Sequence, residues 1–150
     1  MRRFVAPALI AVVVAVAVSG CASTGSTTEA AKGMLASDSL VSSLGSLGMS
    51  PTQATGSLGS LVSLASNRLS PAEFAKFSGY LPNADKYLKL AEGAGLLKSP
   101  VKDVAGLNSN FTALGVEPNV ARSFLGEMSK YLTAKGGEPA RSLLVTTLAK

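Results

Sequence analysis

The sequence predicts an all-α domain, a compact bundle of six to seven short helices. From Leu40 to Leu47 apolar residues recur at positions i, i+1, i+4 and i+7, which lie on one face of a helix. Proline twice follows a serine directly, at Ser50-Pro51 and Ser70-Pro71, and this pair is typical of a helix start. The period-2 alternation that would indicate a half-buried strand is missing.

Similar punctuation predicts the remaining helices. They are expected to contain Ala54 to Ala65 after Pro51, Phe74 and Phe77 after Pro71, Tyr87 to Ala91 after Pro82, Val101 to Leu114 after Pro100, Val120 to Leu132 after Pro118, and Leu143 to Leu148 after Pro139. Ser70 and Glu73 have the spacing of a capping box, and Gly136-Gly137 is expected to end the helix before Pro139. Every proline after the leader is thus predicted at a helix start.

An internal repeat relates two stretches of the chain. Residues 47–51 (LGMSP) align with 114–118 (LGVEP), and further on Leu58-Gly59 aligns with Leu125-Gly126. In each copy we expect the first Gly to adopt a left-handed C-cap before a proline opens the next helix. The second Gly lies in mid-helix, where it costs about 1 kcal/mol against Ala, so we expect a close backbone approach there. The repeat predicts two similar helix-pair halves; the alternative is chance similarity among Leu/Gly-rich helices.

The N-terminus has the features of a secretory signal. Arg2 and Arg3 precede 15 uncharged residues, 4–18, which as a helix would measure about 22 Å against a hydrocarbon core of ~30 Å. The run ends in Val18-Ser19-Gly20-Cys21, which resembles the bacterial lipobox. That resemblance implies cleavage between Gly20 and Cys21, a thioether-linked diacylglycerol on Cys21, and acylation of its new amine by a fatty acid such as palmitate.

Two other fates compete with lipidation. Ala15-Val16-Ala17 matches the small-x-small site of ordinary signal peptidase, which would release a periplasmic protein with a free Cys21 thiol. An uncleaved N-terminal anchor is the other. If Cys21 is acylated, the resemblance to Gram-negative sorting rules, with Ala22 in place of Asp, implies an outer-membrane lipoprotein that faces the periplasm.

The predicted organisation is a signal peptide at 1–20, an acylated Cys and flexible tether at 21–33, and a helical domain at 34–150. Ser, Thr and Gly dominate the tether, which lacks large apolar residues. Loss of Arg2 and Arg3 with the leader leaves 12 basic and 9 acidic side chains, a net charge of +3. Because the basic residues are spread along the chain, we expect no nucleic-acid partner.

Residues 39–67 contain no charged side chain at all. One hypothesis makes this stretch a contact face for self-association, for an envelope protein partner or for the lipid surface. The alternative places it inside the domain, with its Ser and Gly residues at close helix crossings.

The sequence indicates no catalytic or metal site, and no cofactor. It contains no His, and a lipidated Cys21 could not serve as a nucleophile, which excludes Ser-His and Cys-His systems. The scattered acidic residues are expected at helix starts and on solvated faces. An aromatic cluster could line a ligand site, although core packing is the stronger expectation; its members are Phe74, Phe77, Tyr80 and Tyr87. The protein is therefore predicted not to be an enzyme.

Four motifs in order carry a family resemblance. They are 47–54 (LGMSPTQA), 69–74 (LSPAEF), 82–85 (PNAD) and 131–137 (YLTAKGG). Together they resemble the VcgC/VcgE domain of unknown function, over about residues 38 to 149. The resemblance implies a small helical domain of bacterial envelope or secreted proteins, and it supplies no activity or ligand.

Taken together, these features predict a non-enzymatic, membrane-anchored envelope lipoprotein that acts as an interaction or structural module. The alternative is a binder of an apolar small molecule or lipid, held in a cavity between the two helix-pair halves.

Overall fold

A computed structural model describes residues 39–149, which form six α-helices and no strand. The helices are α1 (Ser39–Gly45), α2 (Pro51–Arg68), α3 (Pro71–Tyr80), α4 (Ala84–Gly93), α5 (Val104–Ala113) and α6 (Pro118–Ala149). The predicted all-α fold is confirmed. The predicted signal peptide and tether lie outside the described residues.

Helix α6 consists of two arms separated by a kink at Gly137, whose φ of 65° and ψ of −154° are not helical. Proline cannot continue a preceding helix, and Pro139 begins the second arm just beyond the kink. Gly136 lies against the Tyr80 ring of α3, so a side chain at this position would collide with the ring. The prediction that the helix from Pro118 ends at Gly136-Gly137 is therefore confirmed. The second arm follows directly after the kink.

The predicted helix starts are confirmed at Pro51, Pro71 and Pro118, each the first residue of its helix. Ser70 and Glu73 form the predicted capping box: Ser70 Oγ accepts from Glu73 N, and Ser70 N donates to Glu73 Oε2 at 2.9 Å. Ser50, predicted as a helix start, forms a second capping box with Gln53, whose spacing from Ser50 also fits that motif.

The predicted start at Ser99-Pro100 is wrong. Helix α5 begins at Val104, and the Asp103 carboxylate caps it by accepting a hydrogen bond from Gly106 N at 2.6 Å. Val101 stays outside the helix because its side chain is buried and its backbone is bonded to α2. Val101 N donates to Ser63 Oγ at 3.1 Å, and Asn67 Nδ2 donates to Val101 O at 3.2 Å. Pro82 likewise precedes its helix, in the turn before Ala84.

Helix α2 occupies the centre of the fold. It packs against each of the other five helices, and all twelve residues from Ala54 to Ala65 are buried. Its most extensive contact is with α4. There Gly59 lies against the backbone of Tyr87 and the methyl group of Ala91, and an added Cβ would meet Tyr87 O at 2.9 Å. Small residues in α2 thus allow two helix backbones to approach closely.

Two buried hydroxyl groups of α2 donate hydrogen bonds to backbone carbonyl oxygens of the same helix. Thr55 Oγ1 and Ser60 Oγ donate to the carbonyl oxygens of Pro51 and Gly56, each at 2.8 Å. Such bonds within the helix satisfy hydroxyl groups that have lost contact with water. Within residues 54–65 of the predicted contact face, the side chains are therefore interior, as the alternative interpretation required. The exposed residues of 39–67 lie in α1, in the corner at 46–50 and at the C-terminal end of α2.

The repeat is present in the backbone as well as in the sequence. Gly48 and Gly115 have φ values of 86° and 70°, the left-handed conformation predicted for both corners. The residues that follow them, Met49 and Val116, are both buried. The expected close approach is confirmed at Gly59 but wrong at Gly126, which is exposed and has no neighbour within 4 Å of an added Cβ.

This asymmetry predicts opposite effects of the same substitution at the two equivalent glycines. Gly59→Ala should destabilise the fold by about 1–3 kcal/mol, because the methyl group would meet the Tyr87 backbone and Ala91. Gly126→Ala should stabilise it by about 0.5–1 kcal/mol, because alanine is the better helix former and the added methyl group meets nothing. Urea denaturation followed by circular dichroism measures both. Equal effects at the two sites would contradict the assigned packing.

Candidate interaction groove

A groove with an apolar floor lies between α5 and the first arm of α6. Its cavity volume is about 250 Å³. The floor consists of Phe111, Val116, Ala121 and Leu125, and the rim of Asn108, Thr112, Pro118 and Arg122. All four rim residues are exposed. We refer to this feature as the α5–α6 groove.

Two interactions fix the shape of the α5–α6 groove. Phe111 of α5 meets Phe124 of α6 edge to face, with ring centroids 5.4 Å apart and an interplanar angle of 80°, an arrangement that aromatic pairs favour. At the corner, Val116 N donates to Phe111 O at 2.9 Å, after the left-handed residue Gly115 has reversed the chain. The groove is therefore formed by packed side chains and a bonded turn.

Helix α2 supports the same corner from the opposite side. Gln53 Nε2 donates to the carbonyl oxygens of Leu114 and Gly115, at 3.1 and 3.0 Å. Its Oε1 meanwhile accepts from Ser50 N at 2.9 Å as part of the capping box. One amide side chain thus joins the first corner of the repeat to the second. Gly56 permits this contact, since an added Cβ would lie 2.8 Å from the Leu114 methyl groups.

The two halves of the repeat differ at two positions of this surface. Phe111, Val116 and Ala121 are buried, and so are their counterparts in the first half, Leu44, Met49 and Ala54. Leu125, however, is half-buried where its counterpart Leu58 is fully buried. Arg122 is exposed where its counterpart Thr55 is only 3% exposed.

The exposed side of α6 continues from the α5–α6 groove to the kink. Leu125, Gly126 and Ser129 follow Arg122 at spacings of three and four residues, which place them along one face of the helix. Near the kink a broad, open depression of about 490 Å³ is lined by Ser129, Lys130, Thr133, Ala134, Glu138 and Arg141. We call this surface, from Arg122 to Ala134, the α6 face.

The charges near the α6 face lie at the surface, where Arg122 and Lys130 are exposed and Glu127 is partly buried. Lys130 pairs with Glu127 at 3.4 Å, and Arg141 with Glu138 at 3.3 Å, each within one turn of the helix. Such exposed pairs contribute little to stability. Because Glu127 pairs with Lys130, the α6 face keeps a net positive charge through Arg122. An acidic group on a partner would be attracted to that end of the face.

The residues singled out from the sequence have structural roles wherever the structure describes them. The predicted cleavage and lipidation residues, Gly20 and Cys21, lie outside the described residues, so lipidation stays a prediction. Phe77 and Tyr87 are fully buried, while Phe74 and Tyr80 are partly buried and pack on the core. The aromatic residues therefore serve core packing. Glu73 and Asp103 cap helices, and Glu127 and Glu138 form ion pairs.

Two further properties concern the described range 39–149. No group of three His, Cys, Asp or Glu side chains there is arranged to hold a metal ion. None of the six helices combines the length and apolar character needed to cross a bilayer. Sequence reasoning missed the α5–α6 groove, although the repeat offered one signal: Arg122 stands where the first half has Thr55.

The two-corner contact of Gln53 predicts a specific stability defect. Gln53→Ala should cost about 1–3 kcal/mol, because the carbonyl oxygens of Leu114 and Gly115 lose their donor. Gln53→Glu keeps an acceptor for the capping box but faces those carbonyl oxygens with a carboxylate.

Repulsion from the two carbonyl oxygens should raise the folded-state pKa of the carboxyl group introduced by Gln53→Glu above its unfolded value. The variant should therefore be more stable at pH 4 than at pH 7, relative to Gln53→Ala, because stability is lost as pH rises through a raised pKa. Thermal unfolding at both pH values measures this. A pH-independent difference between the two variants would contradict the contact.

Comparison with known proteins identifies a family and no individual relative. No curated protein and no solved structure matches the chain. The family model described as protein of unknown function VcgC/VcgE (DUF2780) matches residues 11–149. Because this match covers nearly the whole sequence, the chain belongs to the VcgC/VcgE family of proteins of unknown function.

Proposed function

We propose that this protein is a non-enzymatic lipoprotein of the bacterial envelope, anchored through Cys21 and acting as an interaction module. The α5–α6 groove is the observation that carries the module part of the proposal. It offers a partner an apolar floor at the end of a rigid corner, bordered by polar and basic side chains. An apolar centre with a polar rim is the usual composition of a protein interface.

The use of the interior supports the same proposal. Three of the four buried polar residues of α2, Thr55, Ser60 and Ser63, bond to their own helix or to the loop at Val101. Asp103 and Glu73 cap helices. These groups therefore have structural partners. The chemistry that remains available to another molecule lies at the surface, chiefly along the α5–α6 groove and the α6 face.

The anchor part of the proposal rests on the sequence. Arg2 and Arg3, the uncharged run 4–18 and the lipobox-like Val18-Ser19-Gly20-Cys21 together form a lipoprotein signal. Several acyl chains, at ~0.8 kcal/mol per buried methylene, would hold the protein stably on a membrane. Ala22 favours the outer membrane, with the helical domain facing the periplasm. An envelope protein that docks on this domain would then be held near the lipid surface.

The second candidate function is binding of an apolar small molecule or lipid. The site expected for it is a cavity between the two halves. Where α2 meets the second half, the two pack directly: Leu114 lies against Gly56, and Gln53 Nε2 donates to the carbonyl oxygens of Leu114 and Gly115. The α5–α6 groove is a substitute, with Arg122 placed to attract an acidic head group. At about 250 Å³ it is smaller than the ~300–1,000 Å³ typical of ligand pockets, and it is open to solvent. Those dimensions favour a docked protein side chain.

Intact mass and membrane fractionation test the anchor. In a Gram-negative host, the wild-type chain should fractionate with the outer membrane, carry a metabolic fatty-acid label and begin at an acylated Cys21. Cys21→Ser should lose the label, because the nucleophile for the diacylglyceryl group is gone.

The matched control is Ala17→Leu, which disrupts the competing small-x-small cleavage site and should leave labelling unchanged. A wild-type protein that is unlabelled, soluble and begins at Val18 would show ordinary secretion and would overturn the anchor.

A further inference from the structure

We infer that the α6 face is a docking site for one amphipathic α-helix of a partner protein, which crosses α6 at Gly126 as α4 crosses α2 at Gly59. This inference deepens the proposed interaction module by naming its site and the class of its partner. It rests on that module but not on the lipid anchor.

Gly126 lowers the stability of its helix for no reason that lies within the described fold. A glycine within a helix costs about 1 kcal/mol against alanine, and Gly126 lies well inside the first arm of α6. Its φ is not positive, since the positive-φ glycines are others, and an added Cβ would have no neighbour within 4 Å. Nothing within the described fold therefore requires a glycine here.

The position equivalent to Gly126 in the first half of the repeat is covered by a helix. Gly59 is the repeat counterpart of Gly126, and it receives a helix: α4 crosses it so closely that Ala91 and the Tyr87 backbone fill the space of a side chain. The corners that precede both glycines share their left-handed residue and their first-turn proline. The molecule thus contains two copies of the same corner and helix glycine, one covered by a helix and one open. Small side chains flank Gly59, whereas Arg122 and Lys130 flank Gly126.

Concave surfaces lie on both sides of Gly126. The α5–α6 groove lies on one side, with half-buried Leu125 adjoining it, and the depression at the kink lies on the other. Between them Gly126 presents no side chain. A helix that crosses at Gly126 could place an apolar side chain in the groove, between the exposed side chains of Arg122 and Lys130, which lie one turn to either side of the crossing.

Charge decides between a second copy of the chain and a different protein. The α6 face carries Arg122 and Lys130 against the single acid Glu127. Two copies crossing antiparallel at Gly126 would oppose Arg122 to Lys130, so like charges would meet. The occupant is instead a helix with a small residue at the crossing, an apolar residue one turn away and an acidic residue facing Arg122.

A peptide with the sequence of residues 82–95, which contains α4, is the probe because α4 is the occupant of the equivalent site. Its fluorescein-labelled form is titrated against the full-length chain in lipid nanodiscs, and fluorescence anisotropy gives Kd. We expect Kd below 1 mM, raised at least tenfold by Gly126→Leu in the protein or by Ala91→Leu in the peptide. Both changes put bulk at the crossing.

The matched control is Gly79→Leu, since Gly79 is also an exposed helical glycine with no neighbour within 4 Å, but it lies on α3. It should leave Kd unchanged, and circular dichroism verifies that all variants fold. No binding at 1 mM, or binding that Gly126→Leu does not weaken, overturns the inference; the latter result would indicate that the peptide displaces α4 from α2. Either failure leaves the fatty-acid label on Cys21 as an independent test of the anchored lipoprotein.

Discussion

The burial of α2 on all sides is the constraint on which the rest of the structure depends. Twelve consecutive residues of this helix are removed from water, and each of the other five helices packs on it. A charge in that position would lose its hydration without a partner, so residues 54–65 include none. Small residues are equally necessary, because α4 approaches Gly59 at backbone distance. Of the hydroxyl groups that come with small residues, those of Thr55 and Ser60 are accommodated by bonds to the carbonyl oxygens of their own helix.

The connections between helices are held in place through α2 as well. At its N-terminal end Gln53 binds the corner between α5 and α6, and at its C-terminal end Ser63 and Asn67 bind both backbone groups of Val101. The geometry of the α5–α6 groove therefore depends on hydrogen bonds from α2, a buried helix that does not line the groove. Such support is what a preorganised binding surface requires. Fixed geometry at the corner, with an open face on the first arm of α6, is the physical basis on which we propose an interaction module.

Much of the fold was predictable because its helix starts depend on local chemistry. Ser50-Pro51 and Ser70-Pro71 fix their own caps, and the left-handed glycines fix both corners, so sequence alone identified them. Pro100 misled because its neighbour Val101 is held by tertiary bonds to α2, which no local pattern encodes. Whether residues 39–67 form a contact face or an interior helix was ambiguous for a related reason. Their composition shows that charge is absent, but only the packed fold shows that neighbouring helices bury residues 54–65. The α5–α6 groove escaped prediction because the repeat makes both halves look alike, and only the packed fold shows that α4 covers Gly59 while Gly126 is exposed.

The most direct test of the central claim is a single charge inside α2. Ser57 is fully buried, and its Oγ has no hydrogen-bond partner among residues 39–149, whereas Ser43 on α1 is exposed. If α2 is the interior, Ser57→Asp should abolish the cooperative thermal transition seen by circular dichroism, while Ser57→Ala and Ser43→Asp should keep it. A Ser57→Asp variant that unfolds at the temperature of the wild-type protein would contradict the account, because it would mean that this side of α2 is open to water.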